Sequence, residues 1–369
     1  MNKLLIILLS ILLFLLLSVT GLFLFSFTQT GNAMLKPYVQ EKLEQEIGLP
    51  VELNMFKLES GISSLDMVIN KQAKVHAEAQ YDLWGQSFEG IYHIKADTFT
   101  YEERKLKNVD IKGTFKGVSE DVYVDGKGTA LDANLEYRLN IIDDVPQQIV
   151  ANMQDAQLAE VLEYLGHPAL AEGKIDVEIN MPDIGEDTAS GYGHIVLDKA
   201  SFNRALVKKL YDYTLPEKSY MNGTIDAKLE GQSVRLFGDI QSNLFMLQIK
   251  DALADMASDE LTAAYSLDVK DMRILTKNKL AGPFKVEGTL ERKDKTTFVT
   301  GTSHSLGGRL GFAVDKTAKI TLEKLSLEKI LPLLKQPDYA KGELSGTIIM
   351  DDVKTKSGTY ALQVDKGVL

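Results

Sequence analysis

From residue 51 onward the apolar residues recur every second position, and that period limits the fold more than any other feature. Val51-Glu52-Leu53-Asn54-Met55, Ala73-Lys74-Val75-His76-Ala77-Glu78-Ala79 and Leu135-Glu136-Tyr137-Arg138-Leu139-Asn140-Ile141 all alternate, and the pattern returns from Tyr220 through Asp315. Successive side chains of an extended strand point to opposite faces, so each run is a strand with one apolar and one polar face. Glycine, Asn-Asp and proline interruptions separate the runs at strand length, which predicts a meander of half-buried antiparallel strands. Helical spacing is confined to short stretches: 34–47 (Leu35, Tyr38, Val39, Leu43, Ile47), 155–166, 203–211 and 326–335.

One stretch breaks the pattern. Residues 4–27 carry no charge, long enough as a helix to cross the roughly 30 Å hydrocarbon core. A cleaved signal has an apolar region of about 7–15 residues and a small-residue cleavage site. This run is longer and is followed only by Thr30-Gly31-Asn32-Ala33, so an uncleaved anchor is expected. The N-terminus is then cytoplasmic and the bulk is exported. The chain of 369 residues has a formal charge of −11 and no cysteine. That balance argues against nucleic acid as a partner. The missing thiols rule out disulfides, a cysteine nucleophile and Cys-ligated zinc.

Two recurrences add to the pattern. Leu158-Ala-Glu-Val-Leu162 through Pro168 and Gly173 aligns with Leu327-Glu-Lys-Ile-Leu331 through Pro337 and Gly342. Further on, Ser190-Gly191 matches Ser357-Gly358 and Asp198-Lys199 matches Asp365-Lys366. A helix, a proline turn and two strands thus recur as a unit, as in repeat-built proteins. The dipeptide Gly-Thr also recurs, at 113, 128, 223, 288, 301, 346 and 358. Glycine inside strands lets a sheet bend, and threonine favours extended backbone, so a strongly curved sheet is expected.

The apolar N-terminal run, the helix closed by Gly48-Leu49-Pro50-Val51 and the repeated helix with Gly-started strands together resemble the AsmA-like family, which includes AsmA and TamB. The resemblance implies a mainly β fold: a transmembrane helix, then an elongated, curved antiparallel β-sheet groove of taco-like form with a few short helices. Four segments are read on that basis. Residues 1–30 form the cytoplasmic tip and anchor, and 31–156 a β-groove segment opening with a short helix. Residues 157–325 form the first helix-plus-strands repeat. The start of a second lies at 326–369 and stops short of the equivalent of Asn203-Arg204-Ala205-Leu206, so a longer natural chain is expected.

The resemblance further implies a bacterial inner-membrane protein with a periplasmic body, acting in outer-membrane biogenesis by holding or conducting phospholipid between membranes. The alternative from another class is a periplasmic scaffold that assists assembly of outer-membrane proteins through protein contacts. Partners are therefore phospholipid acyl chains, the inner membrane through residues 4–27, and an outer-membrane or periplasmic protein. Apolar alternation nominates Ile175, Val177, Ile179, Met181, Ile225, Ala227 and Leu229 as the groove lining.

No catalytic, cofactor or metal site is expected. His76, His93, His167, His194 and His304 lack metal-ligand spacing. Ser326-Leu-Glu-Lys329 matches S-x-x-K without the partner motifs and reads as a helix N-cap. Gly301-Thr-Ser303-His304-Ser305 reads as a polar turn. The acidic pairs, such as Asp143-Asp144, stand beside turn residues, where aspartate bonds its own backbone.

Overall fold

The computed structural model describes residues 28–368 except 83–84, 119–120, 144, 186–187, 213, 259, 274–279, 295, 338 and 353–356, together with the side chain of Tyr211. The anchor expected at 4–27 lies outside the described residues. Among those described, no helix is long and apolar enough to cross a membrane. The protein is mainly β, with twenty strands and four helices. It divides into two units: Met1–Ala169 with Ile175–Gly185, and Leu170–Lys174 with Glu186–Leu369.

The first unit opens with α1 (Gln29–Ile47), capped by the Thr28 side chain, which accepts from Gly31 N. The helix starts five residues earlier than its apolar period suggests and ends on Gly48 in the left-handed region, at φ 69°. There follow β1 (Val51–Glu59), β2 (Ile62–Ile69), β3 (Ala73–Asp82), β4 (Ser87–Tyr101), β5 (Arg104–Val118), β6 (Asp121–Ala130), β7 (Ala133–Ile142), β8 (Val145–Gln157), α2 (Leu158–Tyr164) and β9 (Ala171–Asp183). From β1 to β8 each strand pairs antiparallel with the next.

One face of α1 plugs the sheet with Val39, Leu43 and Ile47, which join the unit's main apolar cluster. A second stripe, Asn32, Lys36, Gln40 and Glu44, lies along β1. Glu44 and Gln40 accept from Val51 N and Leu53 N at 3.0 and 3.1 Å. Asn32 Oδ1 accepts from Leu58 N at 2.9 Å, its amide donates to Leu58 O at 3.2 Å, and Lys36 donates to Asn54 O at 2.9 Å. Four residues of helix rise about 6 Å and two of strand about 6.6 Å, which keeps Gln40 and Glu44 in step with Leu53 and Val51. The helix thereby occupies backbone groups that would otherwise template another strand.

The second unit contains β10 (Ser190–Phe202), α3 (Arg204–Tyr211), β11 (Tyr220–Glu230), β12 (Ser233–Ser242), β13 (Phe245–Asp255), β14 (Glu260–Val269), β15 (Phe284–Lys293), β16 (Thr296–Ser303), β17 (Arg309–Val314), β18 (Ala318–Ser326), α4 (Leu327–Leu333), β19 (Lys341–Asp352) and β20 (Ser357–Val368). From β10 to β20 the strands again pair antiparallel in chain order.

The repeat seen in the sequence has matching geometry. Helices α2 and α4 are both seven residues long. Gly173 and Gly342 share positive φ (127° and 144°), as do Lys199 and Lys366 (49° and 52°). At Gly173 an added Cβ would stand 2.7 Å from Ala200 Cα, so the close approach of backbone excludes a side chain. Ser326 occupies the N-cap position of α4, but its hydroxyl donates to Glu328 at 2.9 Å and does not cap the helix.

Candidate functional site

The antiparallel register aligns apolar residues in rows that run across the strands. In the second unit one row reads Gly193, Ala227, Leu236, Ala252, Ala263, Leu290, Val299, Val314, Ala318, Met350, Gly358, one residue from each of β10 to β20. The neighbouring row reads Ile195, Ile225, Gly238, Ile249, Tyr265, Gly288, Gly301, Phe312, Ile320, Ile348, Tyr360. Neither row holds a charge. At about 4.8 Å per strand, ten steps make an apolar stripe about 48 Å long.

Most of this stripe is half-exposed. Ile225, Ala227, Leu236, Ile249, Leu290, Val299 and Val314 are all partly open, whereas Ala252 and Ala318 are buried. Toward β20 it opens fully, with Tyr360 77% and Leu362 47% exposed. Exposed apolar surfaces of this extent are uncommon on folded proteins and commonly mark interaction sites.

Of the lining residues read from the sequence, Ile225 and Ala227 lie on this stripe, opposite Ile195 and Gly193 of β10. Leu229, opposite Gly191, falls in the next row, which carries Arg292. Ile175, Val177, Ile179 and Met181 belong to the first unit. Ile175 is buried, the other three are half-buried, and Met181 packs against that unit's apolar cluster. The lining from β12 to β20 was missed by sequence reasoning. Its signal was the same alternation, but only the register shows which residues share a row.

Both units use one device to let aromatic rings cross the sheet. Tyr92, Gly113, Gly126 and Tyr137 are register partners on β4 to β7. Tyr265, Gly288, Gly301 and Phe312 are the equivalents on β14 to β17. Tyr92 Oη donates to Asp125 O and Tyr265 Oη to Thr300 O, both at 2.9 Å, each acceptor preceding the second glycine. A Cβ at Gly113 would stand 2.5 Å from Tyr92 Oη, and one at Gly301 would stand 2.3 Å from the Phe312 ring. Two of the Gly-Thr pairs, at 113 and 301, are therefore places where a ring lies over the backbone. Tyr92 and Tyr137 also meet hydroxyl to hydroxyl at 2.5 Å. Burial pushes both phenols up, Tyr137 to about 12.

Three histidines pair with aspartates across neighbouring strands. His76 Nδ1 lies 2.6 Å from Asp66, His93 Nε2 lies 2.7 Å from Asp110 and His194 Nδ1 lies 2.6 Å from Asp226, each across neighbouring strands. The Asp66 hydrogen bond raises the His76 pKa, and the His93 bond lowers that of Asp110. Ser303 is buried and bonded to Ser305, with its Oγ 3.2 Å from the Ser305 hydroxyl, while His304 is exposed. Among the described residues no group of three His, Asp or Glu side chains could hold a metal ion. No family model, curated protein or solved structure matches the chain.

Proposed function

We propose that the protein holds or conducts phospholipid acyl chains along the apolar stripe of β10 to β20. Its body would project from a bacterial inner membrane into the periplasm and serve outer-membrane biogenesis, as the resemblance to the AsmA-like family implies. The observation that carries this reading is the charge-free row from Gly193 to Gly358, most of it half-exposed. Each methylene kept out of water is worth about 0.8 kcal/mol, so a continuous apolar path removes most of the barrier to moving a lipid chain through water. The interior row positions are rich in alanine and glycine, which leave room above the sheet for such a chain. No bond is made or broken in this role, and no catalytic residue is assigned.

Photo-crosslinking in cells tests the reading. A benzophenone side chain at Leu290 or Val299 is expected to capture phospholipid, identified by mass spectrometry of the adduct. The same probe at Lys228 or Arg235, on the opposite face, is expected to capture none. Equal labelling of both faces overturns the proposal. Capture of polypeptide in place of lipid at the stripe favours the scaffold reading.

A further inference from the structure

The two ends of the strands in the second unit are built differently. At one end the turns are tight: β11–β12, β13–β14, β15–β16, β17–β18 and β19–β20 are each joined by two to four residues. The long connections, 203–219 with α3, 270–283, and 327–340 with α4, all fall at the other end. The described parts of these connections close that end of the apolar face. Helix α4 packs on β18 and β19, where its Ile330 and Leu333 join Phe284 and Leu310 around buried Leu322 and Leu325. Ala281 N donates to Leu333 O at 2.7 Å and ties the neighbouring connection to that helix. Nearer β10, the rings of Phe202 and Phe245 meet with their centroids 6.1 Å apart.

Exposure follows the same gradient. Along β15, Val286 is 5% exposed, Gly288 and Leu290 are half-exposed, and Arg292 is exposed. Along β16, Ser303 is buried, Val299 half-exposed and Thr297 exposed. Arg292 is the first charge on that path, and its strand partners on this face are Leu261 and Thr297. The step from Val286 to Arg292 covers about 20 Å of extended strand. One acyl chain fills half of a roughly 30 Å hydrocarbon core, about 15 Å. The apolar length of the strands therefore accommodates one chain laid along them. A charged headgroup is costly to take out of water. The two rows of the stripe carry no charge and α4 covers the far end, so the way to water lies at the tight turns.

We propose that a phospholipid on the stripe lies along the strands, with its chain ends toward α4 and its headgroup at the tight turns, beside Arg292 and Thr297. Lipids then sit side by side along the stripe. Each can pass to the next strand without wetting its chains or burying its headgroup. This orientation rests on the reading of the stripe as a lipid site, and it adds the direction in which each lipid points.

Photolabelling of the unaltered full chain tests the orientation. Two phosphatidylethanolamine probes are used, one with a diazirine on the headgroup amine and one with it at the far end of an acyl chain. Adducts are located by peptide mass spectrometry. The headgroup probe is expected on Arg292, Thr296, Thr297 and the Asp315–Thr317 turn, and the chain-end probe on Phe284–Val286 and Leu306–Leu310. The preference between ends should be about tenfold or more, because burying a charged group costs well over the 1.4 kcal/mol that a factor of ten requires. The reverse pattern, or both probes on both ends alike, overturns the orientation and leaves lipid on the stripe. No adduct on this face with either probe overturns the orientation and the lipid reading together.

Discussion

The two units read alike in sequence and differ in what becomes of their apolar faces. In the first unit the row Leu53, Met67, Val75, Ile94, Ile111 is shut away, its members 1–6% exposed. In the second, the rows through Ile225 and Ala227 stay half-open. The alternation, the antiparallel register and the tyrosine-over-glycine device are common to both, so none of them decides the outcome. What differs is the material on the face. The first unit adds Phe88, Phe115 and two tyrosines whose rings lean over glycines, and α1 inserts Val39, Leu43 and Ile47. The second places Ala227, Ala252, Ala263 and Gly238 where bulk would be needed to fill the space. A sheet thus becomes a core or an open surface according to side-chain volume on one face, with no change of topology.

The comparison breaks most directly under matched truncations. Ile141 is fully buried, and Ile141→Ala should cost about 2–5 kcal/mol in urea denaturation. Ile225→Ala removes the same atoms from a half-open position and should cost under about 1.5 kcal/mol, because water already reaches the site. Equal costs would mean that the stripe is a packed core and would remove the basis for a ligand there.

The glycines sharpen the same contrast. Gly113→Ala meets both Tyr92 Oη and the carbonyl of Asp125, neither free to leave, and should cost about 1–3 kcal/mol. Gly301→Ala meets the end of the half-exposed Phe312 ring and the Val286 methyl at 2.8 Å, side-chain ends and no carbonyl, so the smaller loss is expected there. A third comparison concerns the edge. Gln40→Ala with Glu44→Ala frees Val51 N and Leu53 N, at about 1 kcal/mol per lost bond. The exposed strand edge should also raise concentration-dependent association, read by light scattering.

Strand type, the four short helices and the helix-plus-strands repeat were legible because each rests on local periodicity. Rows were not, because they depend on register, and register turns on bulges such as those at Leu53/Met55 and Leu197/Ala200. Parity alone therefore found Ile225 and Ala227, but it added Leu229 from the next row and grouped all three with Ile175 to Met181, which belong to another unit. The edge-binding stripe on α1 was not read from the sequence, where only the apolar period of Leu35 to Ile47 stood out. Nor were its partners, since backbone groups leave no mark in a sequence.

Alkaline titration should find the buried tyrosine pair of the first unit. Burial raises the pKa of Tyr92 and Tyr137 above the ordinary value of 10. A group whose folded pKa is raised contributes stability that is complete below the unfolded value and is lost as pH climbs past it. The urea midpoint should therefore fall between pH 10 and about 12, and Tyr137→Phe should flatten that fall while also removing the bond to Tyr92. A midpoint that falls equally in the Tyr137→Phe variant would show that the phenols are already wet and that the first unit is not sealed.

The smallest effect belongs to the surface pair His76 and Asp66. The hydrogen bond to Asp66 raises the histidine pKa above 6.5, with Glu78 adding to it from the other ring nitrogen at 3.3 Å. Protonated His76 is the form the folded state favours, so its contribution is complete below pH 6.5 and disappears as pH rises through the folded value. Both partners are well exposed, so solvent screens the pair and the shift in melting temperature between pH 6 and 8 should be slight. His76→Gln should remove that slight slope without changing the melting temperature at pH 8. A larger loss at pH 8 than at pH 6 would mean that the neutral ring packs into the sheet, and the polar face of the first unit would then be more closed than its exposure indicates.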